Sequence, residues 1–193
     1  MPVKLTKKER RKATDKAIIE AAVTEFAEKG FARARVANIA ARAGVSQGLV
    51  SQNFGNKERL FMTTTALVDS DCFSPDTDAD TVPEILYKVI DAWKNIYKEQ
   101  PTHFQLLYML THVIDFPEII AKGVEARFKL SPVYAAIEKA QAAGDFPAGD
   151  VMEMMWDLFR ATVSMIYYYN KAGVELPENE LFLRLIGYKP KKA

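Results

Sequence analysis

Gln47 and Gln52, with Ser46 and Ser51 beside them, place two amides and two hydroxyls within seven residues. A carboxamide carries a donor and an acceptor side by side, and that pair matches the major-groove edge of adenine. Leu49, between them, can touch a thymine methyl, and the serines can donate to phosphate oxygens. Gly48 removes a side chain where a backbone would have to come close to a partner. Three further polar residues flank the run. Arg35 and Asn38 can reach a phosphate backbone from one side and Lys57 from the other. Such chemistry needs a rigid support, because base edges are read only by side chains held in register.

The support is legible between Val36 and Phe54, VANIAARAGVSQGLVSQNF. This stretch reads as two short helices joined by a tight turn. Ala40 is small enough to let the helices cross closely. Gly44 falls in the turn, where a left-handed backbone is cheap only without a Cβ. Val50 is a branched apolar residue on the inner face of the second helix. Val36, Ile39, Ala43, Val45 and Phe54 complete the apolar seam, and Ser46 can cap the second helix. A plain helical hairpin would also carry a Gly in its turn, but would not need the polar outer face. The pattern is a helix-turn-helix, with Val50 and Phe54 expected inside.

Charge is distributed to match. The 193-residue chain has a formal net charge of +1, yet residues 1–66 hold 13 Lys/Arg against 6 Asp/Glu, and residues 67–193 hold 13 against 19. A basic first third on an acidic remainder fits a nucleic-acid-contacting domain (1–66) joined to one that does not touch nucleic acid (67–193). A nonspecific architectural binder would need far more net positive charge. No apolar run approaches a membrane span and the N-terminus lacks the apolar segment of a signal peptide, so neither membrane nor export is expected. The lone Cys72 cannot form an internal disulfide, which fits the cytoplasm.

Residues 1–12 form a basic arm, expected to be disordered without a partner, with Lys4, Lys7, Lys8, Arg10, Arg11 and Lys12 against Glu9. A first helix is predicted from Thr14 to Lys29 on the spacing of Ile18, Ala22 and Phe26, with Gly30 ending it. Asn56 should cap a helix beginning at Lys57, which turns Leu60, Phe61 and Leu67 inward. Residues 69–83 carry five Asp and two Pro and read as an exposed loop, frayed helix end or hinge. Helices are predicted over 82–99, 102–115, 118–128, 132–144 and 148–172, with a last one after Pro177. No strand is predicted.

The runs AIIEAAVTEFAEKGF, VANIAARAGVS and NFGNKERLF, within residues 17–61, resemble the N-terminal domain of TetR-type transcriptional regulators. The resemblance implies an all-α protein with a three-helix helix-turn-helix domain followed by a C-terminal helical bundle for ligand binding and dimerisation. It implies a homodimer that binds a two-part double-stranded DNA operator and lets go when a small-molecule effector enters the second domain. It also implies a phosphate contact for Lys57. The chain departs from the family at Ser51, where many members carry an aromatic, at Asn53, often His or Tyr, and at Arg35, often Thr or Ser.

The C-terminal half carries polar-tipped aromatics, and Trp93, Tyr97, Tyr108, His112, Trp156 and Tyr167 are the candidates for lining an effector pocket. They could equally be core or interface residues. His103 and His112 lie nine residues apart with no helical-face partner, so no metal is expected. No cofactor motif is present. The competing reading is a helical enzyme or small-molecule-binding protein with a vestigial helix-turn-helix, but no phosphate loop, di-iron Glu-x-x-His pair or nucleophile motif supports it. On the DNA-reading assignment, replacing Gln47 should change base preference at one or two operator positions, whereas replacing Lys57 should weaken every sequence alike. Binding selections on randomised operators measure both.

Overall fold

The structure is a computed structural model and describes residues 6–73, 81–112 and 117–188. Ten α-helices and no strand are found among these residues. The chain divides into two compact units, Met1–Leu67 and Val68–Ala193.

In the first unit, α1 spans Lys7–Arg33, α2 Val36–Arg42, α3 Gln47–Phe54, and α4 begins at Lys57. The start of α1 corrects the expected disordered arm. Thr6 and Glu9 form a reciprocal capping box: the Thr6 hydroxyl accepts from the Glu9 N–H (3.2 Å), and the Glu9 carboxylate accepts from the Thr6 N–H (2.7 Å). That bond to the Thr6 N–H also holds the Glu9 carboxyl below its usual range. Two orphan N–H groups are satisfied, and the basic residues from Lys7 onward are helical. Lys4 lies outside the described residues. Further along, Gly30 (φ 72°, ψ 163°) interrupts α1, and the last residues turn Phe31 back onto Phe26 and Phe61. Those three rings, with Ile18, Ala22, Ile39, Val50 and Leu60, form the core of this unit.

Gly44 sits at φ +69° in the turn between α2 and α3, the left-handed position that a side chain resists by about 1–2 kcal/mol. Phe54 is half-buried rather than core, because Gly55 ends α3 directly after it. Leu67, expected inward, is 54% exposed. The inward positions of α4 are Leu60, Phe61, Thr64, Thr65 and Val68, and Leu67 falls between them on the outer face. α4 continues to Phe73 and the next helix starts at Val82, so the stretch 69–83, read as an exposed loop or frayed helix end, begins and ends as helix; residues 74–80 and the side chain of Cys72 lie outside the described residues.

In the second unit, α5 spans Val82–Glu99, α6 Pro101–His112, α7 Glu118–Leu130, α8 Pro132–Ala142, α9 Val151–Ala172 and α10 Asn179–Leu185. The helix expected over 102–115 is described only to His112. α9 starts at Val151, three residues later than expected, because Asp150 caps it through the Met152 and Glu153 N–H groups. α9 packs against α5, α6, α7, α8 and α10, so its apolar face is the centre of the bundle. Trp93, Phe104, Phe128, Phe159 and Phe182 fill that core. On α10 Leu181 and Leu185 are exposed, and Phe182, Leu183 and the following Ile186 face the core. α10 is tied to α5 by Lys94, which donates to Asn179 Oδ1 (2.6 Å), and by Asn179, which donates to Asp91 (2.9 Å).

Candidate nucleic-acid interface

The two sides of α3 differ as the turn requires. Val50 is sealed in the core, while Gln47, Gly48, Ser51 and Gln52 are exposed and Leu49 is half-buried at the edge. The Ser46 hydroxyl accepts from the Leu49 N–H (3.2 Å), so this serine is spent on capping, although it too is exposed. Its side chain starts the helix; any phosphate contact would use the hydroxyl proton. Asn53, half-buried, donates to Asp15 on α1 (2.7 Å), which pins the end of α3 to α1.

Gly48 has an open outer side. A Cβ built there would meet only Ser46 Oγ at 3.9 Å, an ordinary contact. The protein itself therefore does not require glycine at this helical position. The side-chain-free spot acquires a reason only when something approaches from outside.

α2 is positioned by a residue that the sequence pattern did not single out. Glu25 on α1 is 1% exposed, and its Oε1 accepts from the Arg35 backbone N–H (3.2 Å) and from Asn38 Nδ2 (2.9 Å). The carboxylate thus caps the N-terminus of α2 from a neighbouring helix, where the helix dipole favours negative charge. Arg42 lies 3.9 Å from it and 3.2 Å from Glu28. Asn38 is exposed, with its amide oriented by Glu25 and its carbonyl left to face a partner. A charged residue on an otherwise apolar helical stripe was the available signal.

Lys57 opens α4, with the Asn56 side chain accepting from the Arg59 N–H as the sequence predicts. Its ammonium donates to the carbonyls of Phe31 (2.9 Å), Ala32 (3.3 Å) and Ala34 (3.3 Å) and lies 4.6 Å from the Phe31 ring centre. Those three acceptors match its three donors. The carbonyls at the end of α1 therefore occupy the group that the family resemblance assigns to a phosphate, and the ammonium fastens α4 to the α1–α2 link.

The six aromatic and histidine candidates of the second unit separate. Tyr108, His112 and Tyr167 come together with Tyr168 and Ser164 where α6 meets α9. Tyr108 stacks on His112 (4.0 Å) and packs at a tilt against Tyr167 (4.3 Å), and its hydroxyl donates to Tyr168 (3.3 Å). His112 Nδ1 faces the Tyr108 carbonyl at 2.8 Å, so it carries the proton in the neutral ring, and Nε2 is left to accept from the Ser164 hydroxyl (3.2 Å). Trp93 is instead deep in the core against Phe159, and Tyr97 rests edge-on against Phe104. Trp156 lies apart, in a surface cleft beside Glu125, Lys129 and Tyr134. Among the described residues no group of three or more His, Cys, Asp or Glu converges, and no helix is long and apolar enough to cross a membrane.

A short helix with a sealed inner side and an exposed amide-rich outer side, set by a glycine turn against a second helix, defines a helix-turn-helix DNA-binding protein. Comparison with known proteins narrows the class. Residues 18–62 match the profile of bacterial regulatory proteins of the tetR family. The chain is 27% identical over 147 residues to the HTH-type transcriptional repressor SCO4008 of Streptomyces coelicolor, covering 74% of each. Its fold is similar to that of a TetR family transcription regulator from Marinobacter aquaeolei VT8, with 22% identity, a TM-score of 0.71 and coverage of 92% of this chain and 94% of that one. It is also similar to the fatty acid degradation regulator FadR from Bacillus halodurans, with 18% identity, a TM-score of 0.61 and coverage of 95% and 94%. The first unit thus carries the tetR-family signature over residues 18–62, and the chain is similar to TetR-type transcriptional regulators over most of its length.

Three outcomes follow from the geometry. Gly48→Ala should leave the fold intact and stabilise α3 by about 0.5–1 kcal/mol, while operator affinity falls about tenfold or more; melting curves and binding isotherms on one preparation separate the two. Lys57→Met should lower stability by about 1–3 kcal/mol, because three carbonyls lose a charged donor. If the ammonium serves as this fastening alone, the salt dependence of DNA binding stays unchanged. Tyr108 is held protonated by donating to Tyr168, then by burial, and its pKa rises from 10.0 to about 12. Between those values the unfolded chain binds fewer protons than the folded one, so this contribution is complete below pH 10 and fades as pH climbs toward 12. Phenolate absorbance in the protein and in Tyr108→Phe checks it.

Proposed function

We propose that the protein is a ligand-responsive repressor working in the cytoplasm, with residues 1–66 reading DNA and residues 67–193 binding an effector and a second copy of the chain. The observation that carries the reading is the outer face of α3, where Gln47, Gly48, Ser51 and Gln52 are exposed around a backbone that nothing in the protein crowds. Gln47 and Gln52 pair with base edges, Leu49 meets a methyl, and Ser46 and Ser51 touch phosphates. Arg35 and Asn38 hold the backbone on the α2 side, and Lys57 keeps the opening of α4 in register on the other.

One recognition helix reads too little DNA to be selective, so the functional unit is a homodimer on a two-part double-stranded operator with half-sites about 34 Å apart. Exposed Tyr168, Val174, Leu181 and Leu185 supply apolar surface late in the chain for that pairing. The effector is a small molecule with an apolar body and a hydrogen-bonding group, received around Tyr108, His112 and Tyr167, while Trp93 is core and Trp156 lies in a separate cleft. Its binding favours dimers whose recognition helices no longer match the groove, and its differential affinity for the two states sets how far the population moves.

Fluorescence anisotropy with labelled DNA flanking the protein's own gene tests the reading, with scrambled duplex as competitor. Tight binding that resists the competitor, and that is lost on adding one compound from an effector screen, is the expected result. Binding erased equally by any duplex, in protein denatured and refolded to strip a carried-over ligand, would refute sequence-specific recognition at that flank.

A further inference from the structure

A threonine inside a helix can satisfy its hydroxyl on its own chain. Thr14, Thr24, Thr63 and Thr64 do so, each donating to the carbonyl four residues earlier at 2.8–3.1 Å. Thr64 is fully buried, and this bond is what pairs it. Thr162 on α9 is equally buried, at 0% exposure, but its Oγ1 has no hydrogen-bond partner among the described residues. The Leu158 carbonyl, one turn back, is the acceptor that the other threonines would use, and Thr162 does not use it. Its hydroxyl is therefore turned from the backbone of α9 into the core. Leu158, Phe159 and Ile166, three or four residues away on the same helical face, are all buried. A hydroxyl left unpaired in such surroundings is costly.

We propose that Thr162 anchors a small-molecule site inside the second unit, its hydroxyl donating to the oxygen of a neutral and otherwise apolar ligand such as an aryl ketone. The proposal rests on the reading of that unit as the effector-binding one, and it adds an inner contact on α9 to the junction of Tyr108, His112 and Tyr167. Among the described residues, the buried polar side chains of this unit are Ser131 and Thr162. Ser131 is already used: its hydroxyl donates to the Phe128 carbonyl (2.7 Å) and accepts from the Tyr134 N–H (3.2 Å) at the start of α8. A charged ligand group would find no buried counter-charge among these residues, so the group that meets Thr162 is neutral. Water is a poor substitute, because a buried water takes about two to four polar partners, and the face around Thr162 is leucine, phenylalanine and isoleucine. Phe159, with the Trp93 indole packed on it at 5.1 Å, supplies flat apolar surface for an aromatic body.

The test is a calorimetric titration of the full chain with acetophenone, its oxygen-free isostere α-methylstyrene, and benzoate as the charged comparator. The parent should bind acetophenone about tenfold more tightly than either of the others. Thr162→Val should bind acetophenone and α-methylstyrene alike, through a loss on the ketone alone, and Thr162→Ser should restore the preference. Without a probe, Thr162→Val should melt about 2–4 °C above the parent, because a methyl replaces a hydroxyl that has no partner. A lower melting temperature would show that the hydroxyl is already bonded, and would overturn the proposal. So would an acetophenone affinity that the valine leaves unchanged, or a parent that prefers benzoate or does not bind acetophenone. The effector reading fails separately. A compound that releases the parent from DNA and is equally potent on Thr162→Val leaves that reading standing and removes Thr162 from it. A screen in which no compound releases the parent removes both.

Discussion

The first unit depends on one buried carboxylate. Glu25 reaches from the middle of α1 to the first turn of α2, where it replaces the side-chain cap that Arg35 does not provide. Burying a charge is costly unless it is compensated, and here a backbone N–H, an amide and the nearby Arg42 supply the compensation. Because α2 has only seven residues, its direction is set by its ends. Once Glu25 anchors the first end, the Gly44 turn determines where α3 points. The amides of α3 are therefore placed by a hydrogen bond made on a different helix. Lys57 does the corresponding job at the other boundary, so that two charged side chains of opposite sign secure the two ends of the irregular link after Gly30.

The second unit is organised differently. At its centre α9 is surrounded by five other helices and is held by aromatic packing. Polar contacts occur at its margins, where α10 meets α5 through Asn179 and where α6 meets α9 through His112 and the tyrosines. A bundle of this kind can shift by small sliding movements of packed helices. Its polar-aromatic junction joins α6 to α9 through Tyr108, His112 and Ser164, whereas the first unit sets α2 through the buried Glu25. That contrast suits a regulator in which one part responds and the other must keep its shape.

Much of this was legible in the sequence because it follows from local rules. Gly44, Ser46, Val50 and Asn56 each act through their own backbone or their own helix, and their residue types announce the role. The start of α1 was misread because the density of positive charge was weighed above the Thr6–Glu9 pair, whose reciprocal capping is also local and could have been seen. Glu25 and Lys57 were harder. Their partners lie ten to twenty-six residues away, and no periodicity reports where a long charged side chain ends. The aromatic candidates divided for a similar reason: Trp93 and Tyr108 have the same kind of amphipathic ring, and only packing decides that one is sealed and the other half-open. Leu67, Leu181 and Leu185 show the converse, since a leucine near an apolar stripe is not thereby on it.

The length of α3 also sets an information limit. Eight residues at a rise of about 1.5 Å make a rod of roughly 12 Å, which spans about four base pairs at about 3.4 Å each. A four-base-pair word recurs by chance on the order of once in a few hundred positions, far too often to mark one gene among the ~10⁶ or more competing sites of a genome. Doubling the word squares that interval, to once in several tens of thousands. The brevity of the recognition helix thus makes pairing a matter of addressing as well as affinity: a single chain spells half a name, and even the paired word needs help from DNA shape or neighbouring sites to be unique.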